Sequence, residues 1–202
     1  MVAMDAFRAH MRLSDDAAAG GVRSGHGERM MARLGPAELS AEEVAFRKRE
    51  GTSAPNLQLA VAHAPDVARL QLELARAATA SMSPRERELI ILVVGLVSDN
   101  AYCWGHHVPM ALAAGMSEAE IRGIRADDYS CFPPDERALL QYCAAVVEQR
   151  VADEQWDAVS RGRTPAELVK ITMLVSYYCL LGKIQSALQV EQDEGFGGFE
   201  QP

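Results

Sequence analysis

The chain has 202 residues, enough to bury one sizeable core and too few to demand a second domain. Hydrophobic residues make up 49% and aromatics 6%, a balance that favours packed helices over sheets, which want more β-branched and aromatic side chains. The net charge is -8 and Lys and Arg are scattered, so no positive track exists for a phosphate backbone and nucleic acid is not an expected partner.

The start, MVAMDAFRAHMRL, lacks the uninterrupted apolar run of a signal peptide, and no stretch approaches the length of a membrane span. The expectation is a cytoplasmic protein with no membrane contact. The first 25 residues hold a Gly-rich break, AAAGGVRSGHG, and read as a mobile or partner-docked arm. Ser40 and Glu43 then open a helical segment closed by Gly51. The expected organisation is an arm with short helices over 1–50, a helical domain over 51–192 and an irregular tail over 193–202.

His63, before Ala-Pro65, marks the end of a short helix, where an imidazole complements the macrodipole. Val67, Leu70, Leu74 and Ala77 then recur at helical spacing. Ser83-Pro84-Arg-Glu86 joins a capping box to a proline at the first helical position and predicts a helix to about Ser98. Its run Leu89-Ile-Ile-Leu-Val-Val is apolar on every side, which predicts a central helix buried all round. The next helix is predicted from Asn100 to Ala114 with Gly115 as its C-cap, and Ser117-Glu-Ala-Glu120 opens a short one to Ile124. RADDYSCFPPDE reads as a loop, a helix follows over 135–150, and Thr164-Pro165-Ala-Glu167 opens a last long helix to about Gln192. In that helix Tyr177 and Tyr178 read as core or subunit contacts, although one hydroxyl could reach a site. Met30, Met31, Met110 and Met173 read as packing or interface residues.

The four cysteines, Cys103, Cys131, Cys143 and Cys179, are far apart with no CxxC pair, which suits reduced thiols better than a disulfide framework. Chemistry concentrates in DNAYCWGHHVPM, residues 99–110. Residues four apart share a helix face, so Cys103 lies beneath His107 and Tyr102 beneath His106. A thiol touching an imidazole can become a thiolate nucleophile, while an imidazole alone can move protons near neutral pH. Glu88 is the one charge just inside an apolar helix, so it must reach the protein edge or be buried with a partner. Arg85, three residues earlier, is the simple partner, and Gly95, two turns on, makes room for a neighbouring helix or a small ligand. Glu88, Cys103, His107 and His106 are also residue types that bind zinc; no metal or cofactor is expected here.

Glu88, Tyr102-Cys103-Trp104-Gly105-His106-His107, Ala111 and Ala114-Gly115-Met-Ser-Glu-Ala-Glu-Ile121 together resemble the carboxymuconolactone decarboxylase family and its AhpD-like alkylhydroperoxidase relatives. SPRERELIIL before that motif, DERALLQY after it and TPAELVKITMLVSYY near the end agree, so the likeness runs over roughly residues 55–192. The resemblance implies an all-α, AhpD-like fold with a helical hairpin core, assembled as a homotrimer or homohexamer. In the AhpD-like branch Glu88, Cys103 and His107 match the glutamate, second cysteine and histidine, but Asn100 stands where the first cysteine belongs. In the decarboxylase branch Tyr102, Trp104 and His107 match, but Cys103 stands where a second glutamate belongs.

Three functions follow as expectations. The first is a decarboxylase, or related lyase or isomerase, acting on a small carboxylated cyclic or lactone substrate. Glu88, Cys103 and His107 would form its catalytic set, and Asn100, Tyr102, Trp104 and His106 would bind substrate. The second is a thiol peroxidase in which Cys103 attacks and Cys131, Cys143, Cys179 or an outside thiol resolves. The third is a non-catalytic oligomer that binds a small molecule.

Overall fold

A computed structural model describes residues 32–39, 41, 44, 45 and 55–196. The expected cap at Ser40 and Glu43, the stop at Gly51 and most of the proposed arm lie outside them, as do Met30 and Met31. Among the described residues the protein is all-helical, with eight α-helices and no strand. They are α1 (Asn56–Val61), α2 (Pro65–Thr79), α3 (Pro84–Val97), α4 (Ala101–Ala113), α5 (Glu118–Arg125), α6 (Pro134–Val147), α7 (Asp153–Ser160) and α8 (Pro165–Leu188).

The predicted caps hold these ends. Ser83 Oγ accepts from Glu86 N–H at 3.1 Å, while the Glu86 carboxylate faces Arg163 at 3.8 Å and does not complete the box. Ser117 with Glu120 and Thr164 with Glu167 form complete boxes. α3 is the centre: Leu89 to Val94 are no more than 1% exposed, and α4, α5, α6 and α8 all pack on it. A Cβ at Gly95 would meet Trp104 N at 3.5 Å and Cys103 Sγ at 3.6 Å, so this glycine serves close packing of the α3–α4 hairpin. The hairpin turns in three residues. Asp99 takes the left-handed region at φ 53°, Asp99 N–H returns to Leu96 O, and Asn100 N–H reaches Gly95 O at 2.8 Å. The same device with Gly115 at φ 87° ends α4.

Several expectations change. α7 falls where no helix is predicted: its N-cap is Ala152, which offers no side-chain acceptor, and the end is held by Gln155 Oε1 accepting from Ala152 N–H at 2.9 Å. The ring of His63 is tied to Gly35 O at 2.9 Å, a tertiary link in place of a purely dipolar role. α8, 24 residues long, is apolar and long enough to cross a membrane by length and composition, contrary to the reading that no stretch approaches such a length. It packs against α2, α3, α4 and α6, burying Leu168, Ile171, Leu174, Val175 and Tyr177. Val67, Leu70 and Leu74 on α2 and Val169, Met173 and Leu180 on α8 are exposed.

Candidate active site

The site forms where α3, α4 and α8 meet, because α3 carries a carboxylate into a region that is otherwise apolar. Glu88 has no solvent exposure, and a bare carboxylate there would cost several kcal/mol. Two donors satisfy it: Arg87 Nε at 2.9 Å on Oε1 and His107 Nδ1 at 2.7 Å on Oε2. Arg85, the partner expected from sequence, points elsewhere, with Nε and Nη2 on Glu136 at 2.7 and 2.9 Å and Nη2 also on Glu120. Glu88 is therefore buried with a cation and an imidazole from two different helices.

The pairing fixes the imidazole. With Glu88 accepting from Arg87 on Oε1 and facing His107 Nδ1 through Oε2, the His107 proton belongs on Nδ1, which donates to Oε2, and the lone pair is left on Nε2. Nε2 has no partner among the described residues. Tyr178 closes the other side of the ring edge-on, with centroids 5.2 Å apart at 85°.

His107 opens onto a cavity of about 380 Å³. Asn100, Tyr102, Cys103 and His106 also line it, as do Arg76, Arg87, Tyr177 and Tyr178, with Leu57, Leu72, Leu174 and Leu181 supplying much of the apolar wall. Six of the seven residues singled out from sequence thus meet here, Glu88 directly behind His107. Trp104 does not: it is buried and lies outside the cavity lining.

Cys103 and His107 share a helix face but do not make the expected contact. His107 turns across to Glu88, and Cys103 Sγ approaches only the Ile91 carbonyl, at 4.0 Å, among the described residues. Burial, then the nearby Glu88 charge and Cys179, pushes the thiol well above its ordinary range, so it is protonated at neutral pH. Glu88, Cys103 and His107 do not converge as metal ligands, and among the described residues no three His, Cys, Asp or Glu side chains do.

Asn100 is the N-cap of α4. Its Oδ1 accepts from Cys103 N–H at 2.9 Å, and its Nδ2 lies where a Cβ on Gly182 would come within 2.8 Å, so Gly182 makes room for it. Tyr102 and His106 are committed to the chain's C-terminal segment. Asp193 accepts from Tyr102 Oη at 2.5 Å, pairs with His106 Nε2 at 2.8 Å and accepts from Asn56 N–H at 2.8 Å. Phe196 stacks on His106 at 4.1 Å, and a Cβ on Gly105 would come within 2.8 Å of Gln192 Nε2. Residues 190–196 are irregular, where the last helix was expected to run to about Gln192, and they are tied to the back of two cavity residues. Burial lowers His106 below its ordinary value, opposed by Asp193.

Sequence reasoning did not single out Arg87 or Asp193, and read Tyr177 and Tyr178 as core or subunit contacts of which one hydroxyl could reach a site. Arg87 adjoins the buried carboxylate, which was a usable signal; Asp193 is distant in sequence from everything it touches and carried none.

Residues 65–145 match the Carboxymuconolactone decarboxylase family. No curated protein sequence matches the chain. Among solved structures, an uncharacterized peroxidase-related protein from Ralstonia eutropha JMP134, described as an alkylhydroperoxidase AhpD core, is 19% identical, with TM-score 0.69 over 85% of this chain and 96% of that one. A peroxidase-related protein from Silicibacter sp. TM1040 is 15% identical, with TM-score 0.70 over 87% and 100%. The debrominase Bmp8, as a cysteine-to-alanine variant in complex with 2,3,4-tribromopyrrole, is 18% identical, with TM-score 0.68 over 82% and 94%. At these identities the likeness is one of fold. Glu88, Cys103 and His107 all lie inside the segment, residues 65–145, that is similar to the carboxymuconolactone decarboxylase family, and the chain has an AhpD-like fold.

Proposed function

We propose that this protein is an acid–base enzyme acting on a small carboxylated cyclic or lactone substrate, by decarboxylation or a related lyase or isomerase step. The observation that carries the reading is the buried Glu88 holding His107 through Nδ1, with the opposite nitrogen left for the cavity. His107 Nε2 takes a proton from a carbon next to the lactone or enone carbonyl, the electron pair moves into that carbonyl, and the resulting imidazolium returns the proton to another carbon. In a decarboxylation the bond to the carboxylate breaks instead, its electrons enter the same carbonyl, carbon dioxide leaves, and the carbon is protonated by His107, which enters this step as imidazolium after taking one proton from solvent. Glu88 keeps the ring oriented and stabilises its charged form. Asn100 Nδ2 and Tyr178 Oη, neither with a hydrogen-bond partner among the described residues, are suited to donate to the enolate oxygen; Tyr102 and His106 are held by Asp193.

Incubation with a panel of unsaturated lactone acids, following carbon dioxide release and the ultraviolet spectrum, tests it. Activity falling by roughly 10²–10⁴ in His107→Ala and Glu88→Gln supports the assignment, and full activity in both overturns it.

The thiol reading has one observation in its favour: Cys103 lines the same cavity as His107. The peroxidase-related neighbours are compatible with it, but the thiol lacks a cation or imidazole to ionise it. Peroxide consumption lost in Cys103→Ser, with lactone acids left unchanged, would replace the first reading by this one. The exposed apolar residues of α2 and α8 favour self-association, as a trimer or hexamer, which sedimentation equilibrium measures.

A further inference from the structure

Arg87 precedes Glu88 on α3 and lines the cavity, with 37% of its side chain exposed. Its Nε is used, donating to Glu88 Oε1 at 2.9 Å, and its two Nη groups have no partner among the described residues. The guanidinium is a rigid planar fork, so a bond through Nε to a fully buried carboxylate sets the plane in which the Nη donors lie. A fork held in this way matches the two oxygens of a carboxylate. The lining around it carries two guanidiniums, those of Arg76 and Arg87, and no carboxylate. The rest of the wall is uncharged side chains, four leucines and three tyrosines among them, and in such a part-enclosed cavity a charge-assisted bond is screened less than at an open surface.

We infer that Arg87 is a carboxylate-docking residue of this cavity, and that its ligand is a small acid with an apolar or unsaturated ring. The docking follows from Arg87 and the lining alone; placing the ring at His107 rests on the acid–base reading above. Glu88 then has two tasks, because Oε1 holds the anchor and Oε2 holds the base. One buried carboxylate fixes the position of the ligand's acid group relative to His107. A carboxylate paired with a guanidinium is stabilised as the anion, which opposes its loss as carbon dioxide. The group on Arg87 is therefore retained through the reaction. The proton moves at another carbon, and a substrate that is decarboxylated here carries a second carboxyl group.

Calorimetric titration with furan-2-carboxylate and its neutral isostere furan-2-carboxamide tests the docking without any turnover. The unmodified protein binds the carboxylate about tenfold or more tightly than the amide, the difference expected from one charge-assisted bond. The preference shrinks as salt is raised. Arg87→Gln brings the two probes within about twofold of each other, and Arg87→Lys keeps part of the gap. Because Arg87→Gln leaves Glu88 without its cation, the double variant Arg87→Gln/Glu88→Gln, which removes both charges, is titrated alongside and loses the preference in the same way. A preference that survives in these variants, or an unmodified protein that binds the carboxylate no better than the amide, overturns the assignment. His107→Gln keeps the preference, so a catalytic role for His107 can fail while the docking role stands, and the reverse.

Discussion

Replacing Glu88 by Gln keeps the shape of the side chain while removing its charge and one of its two acceptors. Glu88 now accepts from Arg87 Nε and His107 Nδ1 at 2.9 and 2.7 Å. The amide of Gln offers one oxygen and one NH₂, so it can accept from Arg87 only by presenting NH₂ to His107. The ring must then accept through Nδ1 and move its proton to Nε2, which reverses its role in the cavity from base to donor. Losing one charge-assisted bond costs about 1.5–3 kcal/mol, reduced here because Arg87 is part-exposed and can turn to water. A net cost near 2 kcal/mol lowers Tm by roughly 4–8 °C for a chain of this length. Activity falls further, by roughly 10²–10⁴, because the base is in the wrong tautomer. Long-range ¹H–¹⁵N correlation spectra of imidazole-labelled protein at pH 8 read the tautomer directly. The unmodified protein shows His107 with the proton on Nδ1 and the Gln variant shows it on Nε2. A Gln variant that keeps the Nδ1 proton refutes the argument.

Further outcomes follow from the same contacts. Asp193→Ala removes the acceptor of three hydrogen bonds, so it lowers stability by about 2 kcal/mol in denaturant titration and increases hydrogen exchange at Asn56 and Leu57. Cys103 is buried with its thiol pushed up, so iodoacetamide labels exposed Cys131 much faster at pH 7.5; rapid, peroxide-sensitive labelling of Cys103 would contradict this. Arg85 holds Glu120 down to about 2, so the pair's stabilisation is complete above the ordinary carboxylate range near 4.5 and is lost as pH falls from there toward about 2. Arg85→Met flattens that acid limb in a pH series of thermal melts. His106, lowered by burial, has the same sign: the unfolded chain binds its proton first, so its contribution fades as pH drops below about 6.5, and His106→Gln lacks that component.

The helical frame was legible because its signals are local. Ser83, Ser117 and Thr164 announce their helices through side chains that bond within three residues, and the run from Leu89 to Val94 needs only its composition to be central. α7 was not legible, since Ala152 caps nothing and the helix end depends on Gln155 folding back. At the site, the singularity of Glu88 and the pertinence of His107 were readable, but whether Glu88 reached the edge or was buried, and with which partners, was not. Helical spacing put Cys103 under His107, whereas the ring gains more by crossing to a buried anion than by meeting a neutral thiol. Arg87 adjoins Glu88 and Arg85 lies three residues before it; the position of Glu120 and Glu136 shows why Arg85 turns away.

The central claim is that Glu88 and His107 move protons at carbon. Incubating the protein in D₂O with an unsaturated lactone acid and following deuterium incorporation by ¹H NMR tests this step apart from any later one. Exchange at the carbon beside the lactone carbonyl, abolished in His107→Gln, reduced at least about a hundredfold in Glu88→Gln and retained in Cys103→Ser, is the predicted result. Exchange that persists in His107→Gln, or that disappears in Cys103→Ser alone, contradicts it.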